Sequence, residues 1–317
     1  MSTYLRPFER HIAPIDADQV EALVGVVTDT VASPHSKRAY GRAIRDFLRW
    51  YRQVGEVGLS KAVVARYAAT LAAQGMGAAS VNQRLCAIRS LAREAADNEV
   101  LSAQTAAGIQ RVKGVRQKGQ RLGFWLSREQ AQALLDAPDT DTLSGLRDRA
   151  ILGVMLGCGL RRSEVARLTF AHIQRRNGHW LIVDLAGKGN RTRSVVMPDW
   201  VKDAIDAWAE ASTLAQDAGM ADGPVFRNVT KGETVGGDGL SDVGVSWIIK
   251  RYGEALDMPQ LAAHDLRRTY AKLGRAGGAD LEQIQLSLGH ASLLTTQRYL
   301  CSTLDLDRAP GDLAGLV

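Results

Sequence analysis

From Ser33 onward the chain alternates apolar and cationic positions at helical spacing. Ser33-Pro34 supplies an N-cap and a proline at the first helical position. Tyr40, Ile44, Phe47, Leu48 and Tyr51 then recur every three or four residues and predict a helix with one core-facing side. Lys37, Arg38, Arg42, Arg45, Arg49 and Arg52 fill most of the remaining surface, so the same helix carries a cationic face suited to a phosphate backbone. The plainer alternative for that face is a solvated basic surface. Further Ala- and Leu-rich helices are expected over 60–74, 79–98 and 102–109, with Gly75-Met76-Gly77 separating the first two. Residues 33–109 therefore read as an all-α domain. A lead-in over 1–32 precedes it, with a short amphipathic stretch near Val20 to Val27.

The pattern then breaks. Residues 110–124 hold three glycines, five cations and little apolar periodicity, and read as a basic linker in which Lys113, Arg116 and Lys118 are candidate polyanion contacts. Ser127-Arg128-Glu129-Gln130 has the form of a capping box and opens a second domain over 125–317, with a tail at 301–317. Leu143–Leu156 predicts a buried helix that stops at Gly157-Cys158-Gly159. Trp180–Leu185 and Arg191–Met197 flank a glycine-rich turn and predict a β-hairpin. Beyond Trp200 the chain reads as helical, apart from a glycine-rich loop at Lys231–Gly239. The expected class is mainly α: an all-α N-terminal domain followed by an α+β domain with a small hairpin or sheet.

Composition sharpens one point. A length of 317 residues suits two domains, and 45% hydrophobic residues suffice for two cores. Net charge is only +6, yet between Ser33 and Arg121 sixteen Lys or Arg face five acids, so the remainder is net acidic. That asymmetry favours a polyanion partner for the first domain. Cys86, Cys158 and Cys301 lack metal-ligand spacing and read as free thiols in a reducing compartment. Neither a signal peptide nor an apolar run of about 18 residues is apparent, so a soluble, intracellular protein is expected.

The candidate chemistry gathers late in the chain. Breaking a phosphodiester requires cations for the nonbridging oxygens, a nucleophile that can lose its proton, and a proton for the leaving oxygen. Arg161 and Arg267 suit the first task, because a guanidinium grips two oxygens and stays charged. His264 lies three positions before Arg267 on a predicted helix, His290 opens a Ser-capped segment, and Lys188 sits at the hairpin tip. Tyr299 is the candidate nucleophile. Taken singly, each has an ordinary reading as a structural histidine, a surface cation or a core tyrosine. Their joint occurrence and order carry the argument.

That order resembles the tyrosine recombinase (phage-integrase-type) family. G-L-R-R-S-E supplies Arg161, with Glu164 at an acidic position that helps orient the site. G-K-G-N-R supplies Lys188, H-D-L-R-R supplies His264 and Arg267, L-G-H supplies His290, and T-x-x-Y supplies Tyr299. The plan is closest to the compact Xer, plasmid or integron type. The resemblance implies attack by Tyr299, a 3′-phosphotyrosyl link and a released 5′-hydroxyl. Arg161, Arg267 and His290 would stabilise the phosphoryl oxygens, Lys188 would act as general acid, and His264 would assist proton transfer. No metal, cofactor or ATP is implied. The implied partner is double-stranded DNA bearing a recombination site, bound by a homo-tetramer that is monomeric or dimeric when free, in the cytoplasm on the nucleoid and without membrane contact. A second recombinase or accessory protein, and docking of the tail in cis or in trans, stay open. The competing readings are a type IB topoisomerase-like relaxing activity and a non-catalytic DNA-binding accessory protein.

Overall fold

The computed structural model describes residues 17–31, 33–55, 58–116, 123–187, 192–212 and 223–300. Lys118, Lys188, Cys301 and the tail at 301–317 lie outside the described residues, as do 1–16 of the lead-in. The chain divides into two compact units, Met1–Arg121 and Leu122–Val317.

The first unit consists of helices α1 (Ala17–Asp29), α2 (Pro34–Val54), α3 (Lys61–Ala73), α4 (Ala78–Asp97) and α5 (Ala103–Gln110). The amphipathic stretch near Val20 to Val27 belongs to α1, and its Val24 and Val27 join the core. Helix α2 begins with Pro34 and ends at Gly55, whose φ of 64° is a left-handed conformation that glycine adopts without strain. Between those ends Ile44, Phe47 and Leu48 are buried against Tyr67, Leu85 and Ile88. Phe47 meets Tyr67 edge-on at 5.1 Å. Burial of each such side chain contributes about 1.5–3 kcal/mol. The opposite face of α2 leaves Arg38, Arg42, Arg45 and Arg49 exposed.

The second unit starts as its capping box predicts. Ser127 N–H donates to Gln130 (2.9 Å) and Gln130 N–H donates to Ser127 Oγ (3.2 Å), starting α6 (Arg128–Asp136). Helix α7 (Leu143–Gly157) is buried along most of its length; its first half buries the ion pair Arg147–Asp148 (2.7 Å), and its second half is apolar. Its Ile151, Leu152, Val154 and Met155 are fully buried and form the middle of the larger core. The single turn α8 (Arg162–Val165) follows. Next come strands β1 (Ile173–Arg176), β2 (His179–Ala186) and β3 (Thr192–Met197), which form an antiparallel sheet in that order. The expected hairpin is β2–β3, in the register Trp180↔Met197 and Ile182↔Val195, with β1 added at its edge.

After α9 (Asp199–Ala211) the structure departs from expectation. The glycine-rich stretch read as a loop contains β5 (Val235–Gly239), which pairs with β4 (Arg227–Val229) in a two-stranded ribbon. Glycines supply no side-chain pattern, yet their backbone groups still pair. Helices α10 (Asp242–Ala255), α11 (Ala263–Ala276), α12 (Leu281–Leu288) and α13 (Leu293–Leu300) complete the unit. A small cluster of Ala271, Ile284, Leu288 and Leu300, flanked by Tyr270 and Tyr299, fastens α12 and α13 to α11.

Candidate active site

Where α7 stops, the chain turns at Gly159 with φ +63°, and a Cβ there would lie 2.4 Å from the Tyr270 ring. Glycine is needed on both counts. The turn delivers Arg161 to the N-cap of α8 and Glu164 to its third residue. Glu164 then serves as a hub. Its Oε2 accepts from the Arg161 N–H (2.8 Å), its Oε1 accepts from the Arg161 guanidinium (2.7 Å), and Arg193 on β3 donates to both oxygens at 2.8 Å. Arg267 Nη1 approaches to 3.9 Å. Burial pushes the Glu164 carboxyl up, but the Arg193 and Arg161 hydrogen bonds and charges outweigh it and hold the pKa at about 2.

Arg267, on α11, is 1% exposed. It donates to the Gly159 carbonyl (2.5 Å) and to the Leu288 carbonyl, which also accepts from Arg161 (3.4 Å). Leu288 is the last residue of α12, whose terminal carbonyls lack helical partners and suit cations. Gly289 closes that helix with φ +60°, and a Cβ on it would press on Arg193 Cδ at 2.8 Å. Burial, followed by repulsion from Arg161, lowers the Arg267 pKa to about 10, which still leaves it cationic at neutral pH. Three guanidiniums around one carboxylate leave two positive charges uncompensated, an arrangement that attracts an anion.

His290 immediately follows Gly289. Its Nδ1 shares a hydrogen bond with Thr296 Oγ1 (3.0 Å), and Thr296 is fully buried on α13. One helical turn later Tyr299 lies between two imidazoles, its ring edge-on to His264 and to His290 at 5.3 Å each. The phenol donates to the His264 carbonyl at 3.4 Å. Burial raises the Tyr299 pKa to about 12 against the pull of Arg267 and Arg268. Burial and then Arg267 and Arg161 depress His290 to about 4, while burial, Arg268 and Arg267 lower His264. Both imidazoles are therefore neutral at pH 7, and the phenol keeps its proton until something removes it.

Arg161, Glu164, His264, Arg267, His290 and Tyr299 thus come together, from segments far apart in sequence. Lys188 lies outside the described residues, between β2 and β3. One member of the cluster escapes a reading by motif, and another stood in a motif without a role. Arg193 shares the inward period of β3 with buried Val195 and Met197, so a cation on the apolar face of a strand was its available signal. Thr296 opens the T-x-x-Y motif, but nothing in the sequence pairs its hydroxyl with His290.

The cationic candidates of α2 differ from one another. Arg45 holds Glu21 with two hydrogen bonds (2.8 and 2.6 Å), Arg49 lies 3.3 Å from Asp46, and Lys37 lies 3.6 Å from Asp29. Arg38 and Arg42 make no ion pair among the described residues. With Gln83 and Arg84 of α4 they line a hollow of about 290 Å³. Lys113 and Arg116 are exposed.

Comparison with known proteins is consistent along the chain. Residues 125–304 match the phage integrase family, and residues 25–99 match the phage integrase N-terminal SAM-like domain. Tyrosine recombinase XerC of Pelobacter propionicus is 33% identical over 284 residues, covering 88% of each chain. Tyrosine recombinase XerD of Ralstonia nicotianae is 29% identical, covering 82% of each. The XerH site-specific recombinase bound to palindromic difH substrate, a post-cleavage complex, shares the fold with a TM-score of 0.69 at 20% identity, over 90% of this chain and 80% of that one. A lambda integrase dimer bound to a COC′ core site gives 0.64 at 13%, over 90% and 79%.

Proposed function

Given a chain that belongs to the phage integrase family, and so to the tyrosine-type site-specific DNA recombinases, we propose that Tyr299 is the nucleophile. Its oxygen attacks the scissile phosphorus, a 3′-phosphotyrosyl bond forms, and the bond to the 5′ oxygen breaks. That oxygen takes a proton and leaves as a hydroxyl. The ester link conserves the energy of the phosphodiester, so a 5′-hydroxyl from another strand can reverse the step without ATP.

Each neighbour then has a role set by its geometry. Arg161 and Arg267 neutralise the nonbridging oxygens. Glu164 and the carbonyls of Gly159 and Leu288 hold those two forks in fixed directions, so little reorganisation is needed as charge develops. Arg193 braces Glu164 from the sheet. His290 Nδ1 and Thr296 Oγ1 share a hydrogen bond; with the hydroxyl as its donor, the imidazole presents its Nε2–H to phosphate. His264 assists transfer of the phenolic proton. Lys188, from the β2–β3 connection, protonates the leaving oxygen. The first unit, with Arg38, Arg42 and the exposed Lys113 and Arg116, grips double-stranded DNA, and paired sites are exchanged within a tetramer.

The observation that carries this reading is the phenol of Tyr299 seated between two neutral imidazoles beside a guanidinium cluster with excess positive charge. The test is covalent trapping in EDTA on nicked suicide duplexes drawn from the DNA flanking the gene. An SDS-resistant adduct should form and should fall roughly 10⁴-fold or more in Tyr299→Phe. An adduct that persists in the variant would assign the nucleophile elsewhere. No adduct on a duplex that the protein demonstrably binds would favour a non-catalytic accessory role.

A further inference from the structure

Arg268 follows Arg267 on α11 but takes no part in the Glu164 network. Its guanidinium carbon lies 5.2 Å from the centre of the Tyr299 ring. On its other side Nη1 donates to the Phe124 carbonyl (3.4 Å) and lies 3.6 Å from Asp265. Its Nε is buried and finds no acceptor among the described residues. Gly123 makes room for this side chain: its φ is +70°, and a Cβ there would lie 1.5 Å from Nη1. The backbone angle disfavours any other residue, and a Cβ would push the Arg268 guanidinium out of its place.

The contact belongs to a longer seam. Leu126 N–H donates to Thr269 Oγ1 (2.9 Å), and Lys272 Nζ sits 4.3 Å above the Trp125 ring. Gly123–Leu126 therefore runs along α11 and is held at Arg268, Thr269 and Lys272. The other cations near Tyr299 are already engaged, Arg161 by Glu164 and Arg267 by two carbonyls. Among the described residues, Arg268 is the cation that lies over the ring.

We infer that Arg268 is a positioning residue for the nucleophile: Gly123–Phe124 holds its guanidinium against the Tyr299 ring, fixing the ring's direction and stabilising the phenolate as the proton leaves. This rests on the assignment of Tyr299 as nucleophile. A cation near a ring face attracts its electron density, and the attraction grows when the oxygen becomes negative. Other groups facing Tyr299 are His264, Asp265 and Arg267 from α11, Arg161 from the start of α8, and His290 before α13. Asp265 opposes ionisation, and Arg268 partly neutralises it. Arg268 thereby connects the segment that opens the second unit to the reacting atom.

The test places 3,5-difluorotyrosine, whose phenol ionises near neutral pH, at position 299 of the full-length protein and follows its ¹⁹F shift with pH. Arg268→Gln should raise the ionisation midpoint by about one unit, a tenfold drop in the ionisation constant. Arg268→Lys should cancel most of that shift and return the midpoint toward the parent value, because the cation is kept. Gly123→Ala, which leaves every charge in place, should shift the midpoint the same way and add nothing on an Arg268→Gln background. An unchanged midpoint in Arg268→Gln, or additive effects of the two substitutions, would overturn the inference. The titration needs no DNA, so its failure is separate from an adduct that survives Tyr299→Phe.

Discussion

The arginines of α2 and those around Glu164 are the same residue put to opposite uses. Arg38, Arg42, Arg45 and Arg49 stand exposed at the surface, where counterions screen them, and even the pairs of Arg45 with Glu21 and Arg49 with Asp46 face water. Arg267 is 1% exposed, and the Arg193 and Arg267 forks end on carboxylate or carbonyl oxygens. Burying a guanidinium is costly unless its donors are satisfied. Once satisfied, it cannot swing away, and its field acts in one direction. Exposed arginines therefore add up as charge, whereas the buried ones act as a shape. Removing one of the first kind should weaken attraction; removing the partner of the second kind should disturb the fold.

The largest effect of this contrast is expected at Glu164. Glu164→Gln leaves Arg161, Arg193 and Arg267 crowded with no counter-charge, and breaking a buried pair in this way costs about 3–5 kcal/mol. Chemical denaturation of the full chain should show that loss, whereas Arg42→Gln should stay within about 0.5 kcal/mol of the parent. Equal losses for the two would erase the distinction. Acid provides a second way to break the network. The Glu164 pKa lies near 2 in the fold against 4.5 as its ordinary value, so its contribution is complete above about 4.5 and disappears as pH falls through 2. His290 acts earlier. It is held neutral, near 4 against 6.5, so the unfolded chain binds its proton more readily and stability falls as pH drops from 6.5 to 4. Denaturation midpoints plotted against pH should therefore decline in two stages, the upper reduced in His290→Gln, where the likewise lowered His264 supplies the remainder, and the lower reduced in Glu164→Gln.

How much of this was legible in the sequence depends on range. Helix α2, the capping box at Ser127 and the buried helix α7 were readable because their signals are local: a period, a cap, an apolar run. The motif residues were readable by order. The hub role of Glu164 was not, since its partners Arg193 and Arg267 come from a strand and a helix that only the fold brings together. Strand β1 (Ile-Gln-Arg-Arg) lacks alternation because it is an edge strand with one apolar residue to place. Strand β5 was hidden by its glycines. The role of Arg268 depended on a glycine at position 123, and a glycine shows where a side chain is excluded without showing what excludes it.

Thr296 refines the comparison at smaller scale, because it asks whether an imidazole also needs a fixed direction. Thr296→Val keeps the volume and loses the hydroxyl that meets His290 Nδ1. The hydrogen bond is worth about 1 kcal/mol, so adduct formation on a suicide duplex should slow by about fivefold to tenfold. Duplex affinity should be unchanged, and Thr296→Ser should recover the rate. A parallel loss of affinity would place Thr296 in the packing of α13 and not in the orientation of the ring.

The smallest effect on the fold, and the most discriminating for α2, is salt dependence. Each cation that meets a phosphate releases counterions, so log affinity falls with log salt by about 0.9 per contact. Arg38 and Arg42 have no acidic partner among the described residues, so in the proposed complex a phosphate would meet their charge without first breaking a pair. Arg45 must give up or share Glu21, which its fork already holds at 2.6 and 2.8 Å. Arg38→Gln and Arg42→Gln should each reduce the slope by nearly one while leaving the thermal transition in place. Arg45→Gln should reduce it by less, because the freed Glu21 remains near the phosphates as a negative charge, and Glu21→Gln should strengthen binding at low salt. If Arg45→Gln lowered the slope as much as Arg42→Gln did, the ion pair would not survive contact with DNA, and the exposed arginines of α2 would behave as one undivided charge.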